Sequence, residues 1–217
     1  MSASEPLIRW QWIESNSSLI WQRIVEHLIL TGIAVGVGLL ISFVLSLLIR
    51  RRAGLYGPVT WATGALYSIP SLALFALLIP FTGLSVLTAE IGLVSYTLLI
   101  LTRAIVGGLQ GVPADVRETA VGMGYTPGQM LWRVELPLAI PVIMGGLRVA
   151  TITTIGLVTV TALIGQGGVG AFILEGIQRF FSTPLIVGAV LSVLLGILAD
   201  ALLVQLQRRV TPWTRPA

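Results

Sequence analysis

Residues 113–137 read PADVRETAVGMGYTPGQMLWRVELP and are the one long stretch of this chain that is polar enough to lie in water. The sequence on both sides consists mainly of apolar runs that are long enough to cross a bilayer. We therefore predict an all-α integral membrane protein in which this polar segment, residues 113–137, projects from one end of a bundle of membrane helices.

The first half of the polar segment carries the signals of a short helix. Pro113 suits the first helical position, where its missing N–H group costs nothing. Asp115 and Glu118 follow in the first turns, where the helix dipole favours negative charge. Gly122 and Gly124 are predicted to end the helix, because glycine readily adopts the left-handed conformation of a helix cap.

The second half of the polar segment is predicted to begin another helix. Thr126 can cap it, Pro127 fits its first position, and Gln129 can reach back in a capping-box pattern. Three residues at helical spacing give the first helix an apolar face: Val116, Ala120 and Met123. A short, capped, half-apolar helix beside a membrane is suited to docking another protein.

The composition excludes several classes of function. Only 10% of the 217 residues are charged, against about 25% in soluble domains, and 55% are hydrophobic. The chain has no cysteine, which excludes disulfides, thiolate catalysis and cysteine metal sites. It has no lysine either, so it cannot form a phosphate-binding loop of the Walker type. Any ATP-driven work therefore needs the ATPase of a partner protein.

The apolar runs predict about five membrane spans within a single membrane domain, residues 25–209. The predicted spans cover residues 28–49, 58–79, 86–108, 138–163 and 184–205. Residues 1–24 are predicted to form an external segment at the membrane interface, with a disordered tail as the alternative. Residues 210–217 are predicted to form a short cytoplasmic tail.

The second span contains a break that suggests a translocation path. Ser68 and Pro70 interrupt the regular helical hydrogen bonds, which membrane helices tolerate beside neighbouring helices or a water-lined cavity. Tyr67 flanks this break, and Tyr96 and Thr154 lie in the middle of other spans. We predict that these five residues contribute to the path, and a purely structural kink is the alternative.

Other local features of the spans predict structural roles. Gly32, Gly36 and Gly38 in the first span favour close approach by another helix. His27 is predicted to lie at the membrane interface rather than to relay protons. Residues 182–184, Ser-Thr-Pro, are predicted to cap the fifth span.

Four further charged residues fall inside or near the spans. Glu90 and Arg103 lie close enough to the span ends to reach an interface. Arg148 is predicted to pack within the bundle, and Asp200 to pair with an arginine. A structural role is therefore favoured for each of them.

The distribution of arginines predicts the orientation in the membrane. Eight fall on the side of the polar segment: Arg50, Arg51, Arg52, Arg117, Arg133, Arg208, Arg209 and Arg215. Only Arg9, Arg23 and Arg179 fall on the other side. Because cytoplasmic loops carry the excess of positive residues, the polar segment is predicted to be cytoplasmic. Five spans then place the N-terminus outside and the C-terminus inside the cytoplasmic membrane.

Part of the polar segment resembles the EAA loop of ABC importer permeases. The family pattern is Glu-Ala-Ala, three residues, Gly, nine residues and then Ile-x-Leu-Pro, and the spacing matches throughout. This sequence has Thr119 in place of the middle alanine and Val134 in place of isoleucine. The resemblance implies a coupling helix that fits a groove on an ATPase subunit. The matching residues are Glu118, Thr119, Ala120, Gly124, Val134, Leu136 and Pro137.

Residues 28–209 are similar to the core of type I ABC importer permeases, with the polar segment before the fourth span and a glycine loop after it. Three stretches look like the glycine betaine/carnitine/choline, or osmoprotectant, branch: residues 67–73, residues 135–143 with 146–148, and residues 162–165 with 167–168. The implied function is ATP-driven import of such a solute. The alternatives are a methionine or other amino-acid permease and, less favoured, an ATP-independent transporter.

The same resemblance implies several partners. They are a pair of cytoplasmic ABC ATPase subunits, a second permease chain that is identical or a paralogue, a separate extracytoplasmic substrate-binding protein, and membrane lipid. No catalytic residue, cofactor or metal site is predicted for this chain, because the partner subunit binds ATP. No nucleic-acid partner is predicted, since the arginines are scattered around the spans.

Overall fold

The computed structural model describes residues 6–214, and every regular element in that range is helical. Expectations for residues 1–5 and 215–217, including Arg215, lie outside the described residues. The α-helices are α1 (Trp10–Ser15), α2 (Ser17–Arg51), α3 (Tyr56–Ser68), α4 (Ser71–Thr82), α5 (Val86–Gln110), α6 (Ala114–Gly122), α7 (Pro127–Met130), α8 (Leu136–Val160), α9 (Gly170–Gln178) and α10 (Ser182–Val210). The prediction of an all-α membrane protein is confirmed.

Between residues 6 and 214, four helices are long and apolar enough to cross a membrane on their own. They are Ser17–Arg51, Val86–Gln110, Pro127–Ile164 and Ser182–Val210. The helices α3 and α4 pass the same test only as a pair, and they are bent by 96° at a short break, as in a broken span or a re-entrant loop. The bend is sharper than the predicted kink: Ile69 is extended, at ψ 128°, because the ring of Pro70 disfavours the helical conformation of the residue before it.

The helix α5 lies at the centre of the bundle and packs against α2, α3, α4 and α8. Small residues permit these close approaches. Gly38 of α2 abuts Thr97, Gly92 abuts Phe75 of α4, and Gly108 abuts Ala139 of α8. Side chains from four of these helices fill one core cluster, formed by Leu30, Ala34, Phe75, Ala89, Leu93, Val158 and Ile164.

The N-terminal segment differs from its predicted boundary. The helix α2 begins at Ser17, so residues 17–24 continue into the first span without a break. The preceding helix α1 packs on the other end of the chain, where Trp12 makes edge contacts with Phe172 and Phe181 at 5.8 and 6.0 Å between ring centroids. Aromatic packing on α9 and α10 therefore orders this segment.

The prediction that residues 182–184 cap the fifth span is wrong, because two of their hydroxyls bind the N-terminal segment instead. Phe181 stands at the N-cap of α10, and no side chain bonds there. The hydroxyl of Ser182 donates to the Leu7 carbonyl at 2.8 Å, and the hydroxyl of Thr183 accepts from the Arg9 amide at 3.0 Å. These hydroxyls bind the N-terminal segment, which leaves them unavailable to cap their own helix.

Of the three glycines predicted to permit close packing in α2, only Gly38 does so. A Cβ added there would lie 1.8 Å from Thr97 Oγ1, whereas one added at Gly32 or Gly36 would meet nothing within 4 Å. We predict that Gly38→Ala destabilises the bundle by about 1–3 kcal/mol, the usual cost of overpacking. Gly36→Ala is the matched control and is expected to leave stability unchanged or to raise it slightly. Thermal unfolding in detergent would measure both, and equal stabilities would contradict the assigned contact.

Candidate functional site

The helix α6 ends in a glycine cap that explains the spacing of the EAA pattern. Gly124 adopts φ +80°, and nothing lies within 4 Å of an added Cβ, so its conformation rather than space requires glycine. Its amide donates to the Val121 carbonyl at 2.9 Å, and the Tyr125 amide donates to the Ala120 carbonyl at 3.1 Å. These two bonds form a Schellman motif, in which the left-handed residue is usually glycine.

The start of α6 differs from the prediction by one residue. The helix begins at Ala114, and Pro113 is its N-cap rather than its first helical residue.

The helix α7 begins with the predicted capping box, which is confirmed. The Gln129 amide donates to Thr126 Oγ1 at 3.3 Å, and the Thr126 amide donates to Gln129 Oε1 at 2.9 Å. A single wide π turn, Leu131–Glu135, then joins α7 to α8. The second half of the polar segment is therefore continuous with a membrane-spanning helix and can move with it as one body.

The seven residues of the EAA pattern occupy two different environments. Glu118, Thr119 and Gly124 are exposed to solvent. Ala120 is 2% exposed, and the remaining three are half-buried where the polar segment meets the bundle: Val134, Leu136 and Pro137. The first group can contact a partner protein, while the second group holds the polar segment on its own bundle.

Two apolar residues of the polar segment are exposed. Val121 is 65% exposed and Met123 is 63% exposed. Met123 was predicted on the apolar face of the first helix with Val116 and Ala120, but the helix ends at Gly122 and Met123 lies beyond it. Together with Glu118 and Thr119, they make a short surface of mixed apolar and acidic character.

A cluster of three charges ties the polar segment to the bundle, and sequence reasoning missed it. Glu135 is 6% exposed, its carboxylate accepts a hydrogen bond from Arg50 Nε at 2.7 Å, and Arg117 Nε lies 3.3 Å from the same carboxylate as an ion pair without a hydrogen bond. Arg50 comes from the last turn of α2, and Arg117 comes from α6. Arg117 also donates to the Leu109 carbonyl at 2.5 Å, at the end of α5. One carboxylate thus connects three separate parts of the chain.

A cavity of about 390 Å³ lies beside this charge cluster. Its wall includes residues from α2, α5, α6 and the π turn: Ser46, Ile49, Arg50, Val106, Leu109, Gln110, Arg117 and Glu135. The two arginine side chains are 29% and 38% exposed, so they lie at the edge of this space. At the last turn of α2, ion pairs connect this helix to the polar segment, and the cavity lies beside them.

The predicted path residues are brought together only in part. The rings of Tyr67 and Tyr96 meet edge to face, with centroids 5.7 Å apart. The Tyr96 hydroxyl donates to the Ile69 carbonyl at the break between α3 and α4. Ser68 and Pro70 are exposed at the same break. Thr154 does not join this group: it is 1% exposed, and its hydroxyl donates to the Ala150 carbonyl of its own helix at 2.8 Å.

We predict that Tyr96→Phe loosens the break between α3 and α4. The substitution keeps the ring contact with Tyr67 but removes the donor to the Ile69 carbonyl. Leaving such a group unsatisfied costs about 1–3 kcal/mol. Faster proteolysis or amide exchange across residues 68–71 would confirm the effect. Phenylalanine in place of Tyr67, whose hydroxyl makes no bond to this carbonyl, serves as the control and is expected to leave exchange near the wild-type rate.

Two of the charged residues in the spans form a salt bridge. Arg148 of α8 binds both carboxylate oxygens of Asp200 in α10, at 2.7 and 3.0 Å. The predicted pairing of Asp200 with an arginine is confirmed. Ile155, later in α8, packs with Leu195, earlier in α10, so these helices are antiparallel.

The position of His27 differs from the prediction. It is fully buried, with Nε2 3.0 Å from the Ile155 carbonyl of α8. Its burial depends on Gly168, which packs so closely that an added Cβ would lie 2.5 Å from His27 Cβ. The contact joins positions far apart in the chain, and no local pattern signals it.

Comparisons with known proteins agree on one family and one fold. Residues 34–212 match the family described as binding-protein-dependent transport system inner membrane component. The chain is 39% identical to the osmoprotectant import permease protein OsmW of Salmonella typhimurium, covering 91% of this chain and 94% of that protein. It is 34% identical to the choline transport system permease protein OpuBB of Bacillus subtilis, covering 93% of each. Among solved structures, inward facing conformations of the MetNI methionine ABC transporter superpose with a TM-score of 0.83 at 24% identity, covering 91% of this chain and 99% of that one.

Proposed function

This chain belongs to the family of binding-protein-dependent transport system inner membrane components, and from that premise we propose that it imports a small osmoprotectant such as glycine betaine, choline or carnitine. The names of two relatives, which match along nearly their full lengths, support this substrate class. The structural similarity to the solved methionine transporter supports the fold alone, because the two sequences are only 24% identical.

The chain is the membrane subunit of a transporter that works with an ATPase and a substrate-binding protein. In the proposed assembly, two permease chains, identical or paralogous, lie side by side in the lipid bilayer, and a separate binding protein delivers the solute. Each chain docks one subunit of an ATPase pair. The ATPase binds and hydrolyses ATP, and this chain performs no catalysis of its own. The absence of lysine, and hence of a phosphate-binding loop, supports that division.

The observation that carries the proposal is the form of the polar segment. It presents exposed Glu118, Thr119 and Val121 on the short helix α6, which a hydrogen-bonded glycine turn connects to α7, and α7 continues through the π turn into α8. The exposed group would enter a groove of the ATPase, while Ala120, Val134, Leu136 and Pro137 transmit the contact to the bundle. The arginine distribution supports a cytoplasmic polar segment and an external N-terminus.

The proposed transport cycle is alternating access. ATP binding closes the ATPase pair and moves both polar segments, which rotates the bundles and opens the path toward a loaded binding protein. Such coupling requires that the ATPase bind the two permease states with different affinity. Tyr67, Ser68, Pro70 and Tyr96, which meet at the break between α3 and α4, are proposed to border the path. Thr154 would reach it only after a rearrangement of α8.

Reconstitution tests the proposed function. The chain is placed in vesicles with its ATPase and binding protein, and uptake of labelled glycine betaine, choline, carnitine and methionine is measured with and without ATP. We expect ATP-dependent uptake of at least one quaternary ammonium compound and none of methionine. Uptake of methionine alone would transfer the chain to the amino-acid importers. Uptake that persists without the ATPase would contradict the ATP-driven mechanism.

A further inference from the structure

We propose that Glu135 is a positioning residue that passes movement of the polar segment to α2, through its ion pairs with Arg117 and Arg50. This inference rests on the proposed function, since it names the part of the chain that carries the ATP-driven movement. The seven residues assigned from the EAA pattern account for docking and for attachment to α8. They do not account for how the first span follows the polar segment.

The elements that meet at Glu135 support this role. Its carboxylate lies at the junction of the π turn and α8, and it binds Arg50 from α2 at 2.7 Å and Arg117 from α6 at 3.3 Å. Arg50 also donates to the Pro127 carbonyl at the start of α7, at 3.4 Å. Glu135 therefore links α6, α8 and α2, and its partner Arg50 adds a contact to α7.

The three charged side chains are buried to different extents. The most buried one, Glu135, holds the other two in position. The Glu135 side chain is 7% exposed, whereas those of Arg50 and Arg117 are 29% and 38% exposed. A buried carboxylate strongly requires its partners, because an unpaired buried charge is costly. The two arginines lie at the edge of the cavity, where a water molecule can replace one of their contacts. Glu135 therefore keeps its place in the bundle, and the side chains of Arg50 and Arg117 can follow it when it moves.

The local backbone holds Glu135 in place. In the π turn Leu131–Glu135 the chain is wider than an α-helix, and such turns occur mainly at functional sites. Leu131 and Glu135 are both buried, while Trp132 and Arg133 between them are exposed. The carboxylate therefore points into the bundle together with a packed leucine, and it moves when α8 and the polar segment move.

The ion pairs hold the last turn of α2, while apolar contacts also join this helix to the polar segment. Phe43 of α2 packs on Trp132 with ring centroids 6.0 Å apart, and Leu39 and Leu47 pack against the cluster that contains Leu131. Beside these contacts the cavity of about 390 Å³ opens between the last turns of α2 and α5, with Ile49 and Arg50 on one side and Arg117 and Glu135 on another. At this place the ion pairs, rather than apolar packing, hold the last turn of α2 to the polar segment.

The first test compares transport with ATP hydrolysis. Glu135→Gln keeps the shape of the side chain and removes its charge, while the exposed surface for the ATPase stays intact. We expect the ATPase to co-purify normally and the solute imported per ATP hydrolysed to fall about tenfold, within the usual range of coupling between sites. Glu135→Asp restores the charge and is expected to recover most of the loss. A purely structural role would lower the amount of assembled complex and leave the ratio of uptake to hydrolysis unchanged.

A second pair of variants tests the same link without removing the buried carboxylate. Arg50→Gln breaks the same contact from α2, yet Arg117 remains to pair the carboxylate, so folding is protected even if Glu135→Gln assembles poorly. The control is Arg51→Gln, the exposed neighbour in the same last turn of α2. Arg50→Gln is expected to uncouple hydrolysis from uptake and Arg51→Gln to behave as wild type. Equal ratios in the two variants would overturn the proposal.

A second readout needs no transported solute and so separates this inference from the proposed function. The chain contains no cysteine, so spin labels can be attached at Leu48→Cys in α2 and Asp115→Cys in α6, both exposed positions. In complexes with the ATPase, the distance between the labels is expected to stay constant when ATP is added, because the ion pairs hold the two elements together. In the Glu135→Gln background it is expected to change with ATP. A distance that changes equally in both backgrounds would overturn the role of Glu135, whether or not the substrate class is correct.

Discussion

Replacing Gly124 with valine is expected to reduce ATP-coupled uptake about tenfold, with normal insertion of the chain into the membrane. Gly124 has φ +80°, a region that costs other residues about 1–2 kcal/mol and that β-branched residues avoid most strongly. Valine there would open the two hydrogen bonds that close the end of α6, from the Gly124 and Tyr125 amides. The exposed surface around Glu118 and Val121 would then lose its fixed shape, and docking of the ATPase would weaken.

Gly122→Val is the matched control for this prediction. Gly122 lies two residues earlier at the end of the same helix, and nothing lies within 4 Å of an added Cβ. Its φ is not positive, so valine fits without strain. Co-purification of the ATPase and uptake in vesicles would be measured for both variants. If Gly124→Val transported as well as Gly122→Val, the glycine cap would have no part in coupling.

Gly170→Ala is expected to cause the largest loss of stability, because α9 packs there directly on backbone. An added Cβ would lie 2.3 Å from the Thr159 carbonyl oxygen and 2.6 Å from Thr159 Cα. Backbone cannot rotate away as a side chain can, so α9 must separate from the end of α8. We expect a loss of about 3 kcal/mol, at the upper end of the usual cost of overpacking.

The loss at Gly170 would be measured as the half-life of the folded protein during heating in detergent. Gly145→Ala in α8 is the control, because nothing lies within 4 Å of its added Cβ. It is expected to equal or slightly exceed the wild type in stability, since alanine favours the helix. Equal half-lives for the two alanine variants would contradict the close contact between α9 and Thr159.

Features set by local sequence were predictable, and the capping of the polar segment shows why. A capping box needs only Thr126 and Gln129 at the right spacing, and a helix end needs only a glycine such as Gly124 that accepts a left-handed backbone. The four long spanning helices follow in the same way from runs of apolar residues. The break near Pro70 was also visible, because proline restricts its own neighbour.

Features set by contacts between distant residues were not predictable. Glu135 and Arg50 are separated by 85 positions, and no property of either local sequence indicates that they pair. The burial of His27 depends on Gly168 in a loop near the other end of the chain. The 96° angle between α3 and α4 likewise depends on how both helices pack on α5, including the bond from Tyr96 to Ile69. A periodic pattern predicts helices but contains no information on their partners.

The central claim is that the polar segment lies on the cytoplasmic side and receives the ATPase. The most direct test is side-specific labelling of Val121→Cys, which would be the single cysteine of the chain at a position that is 65% exposed. A membrane-impermeant maleimide is expected to leave intact cells unlabelled and to label inside-out vesicles, and addition of the ATPase is expected to block that labelling. Labelling from outside intact cells would contradict the account, and so would unchanged labelling of vesicles saturated with the ATPase.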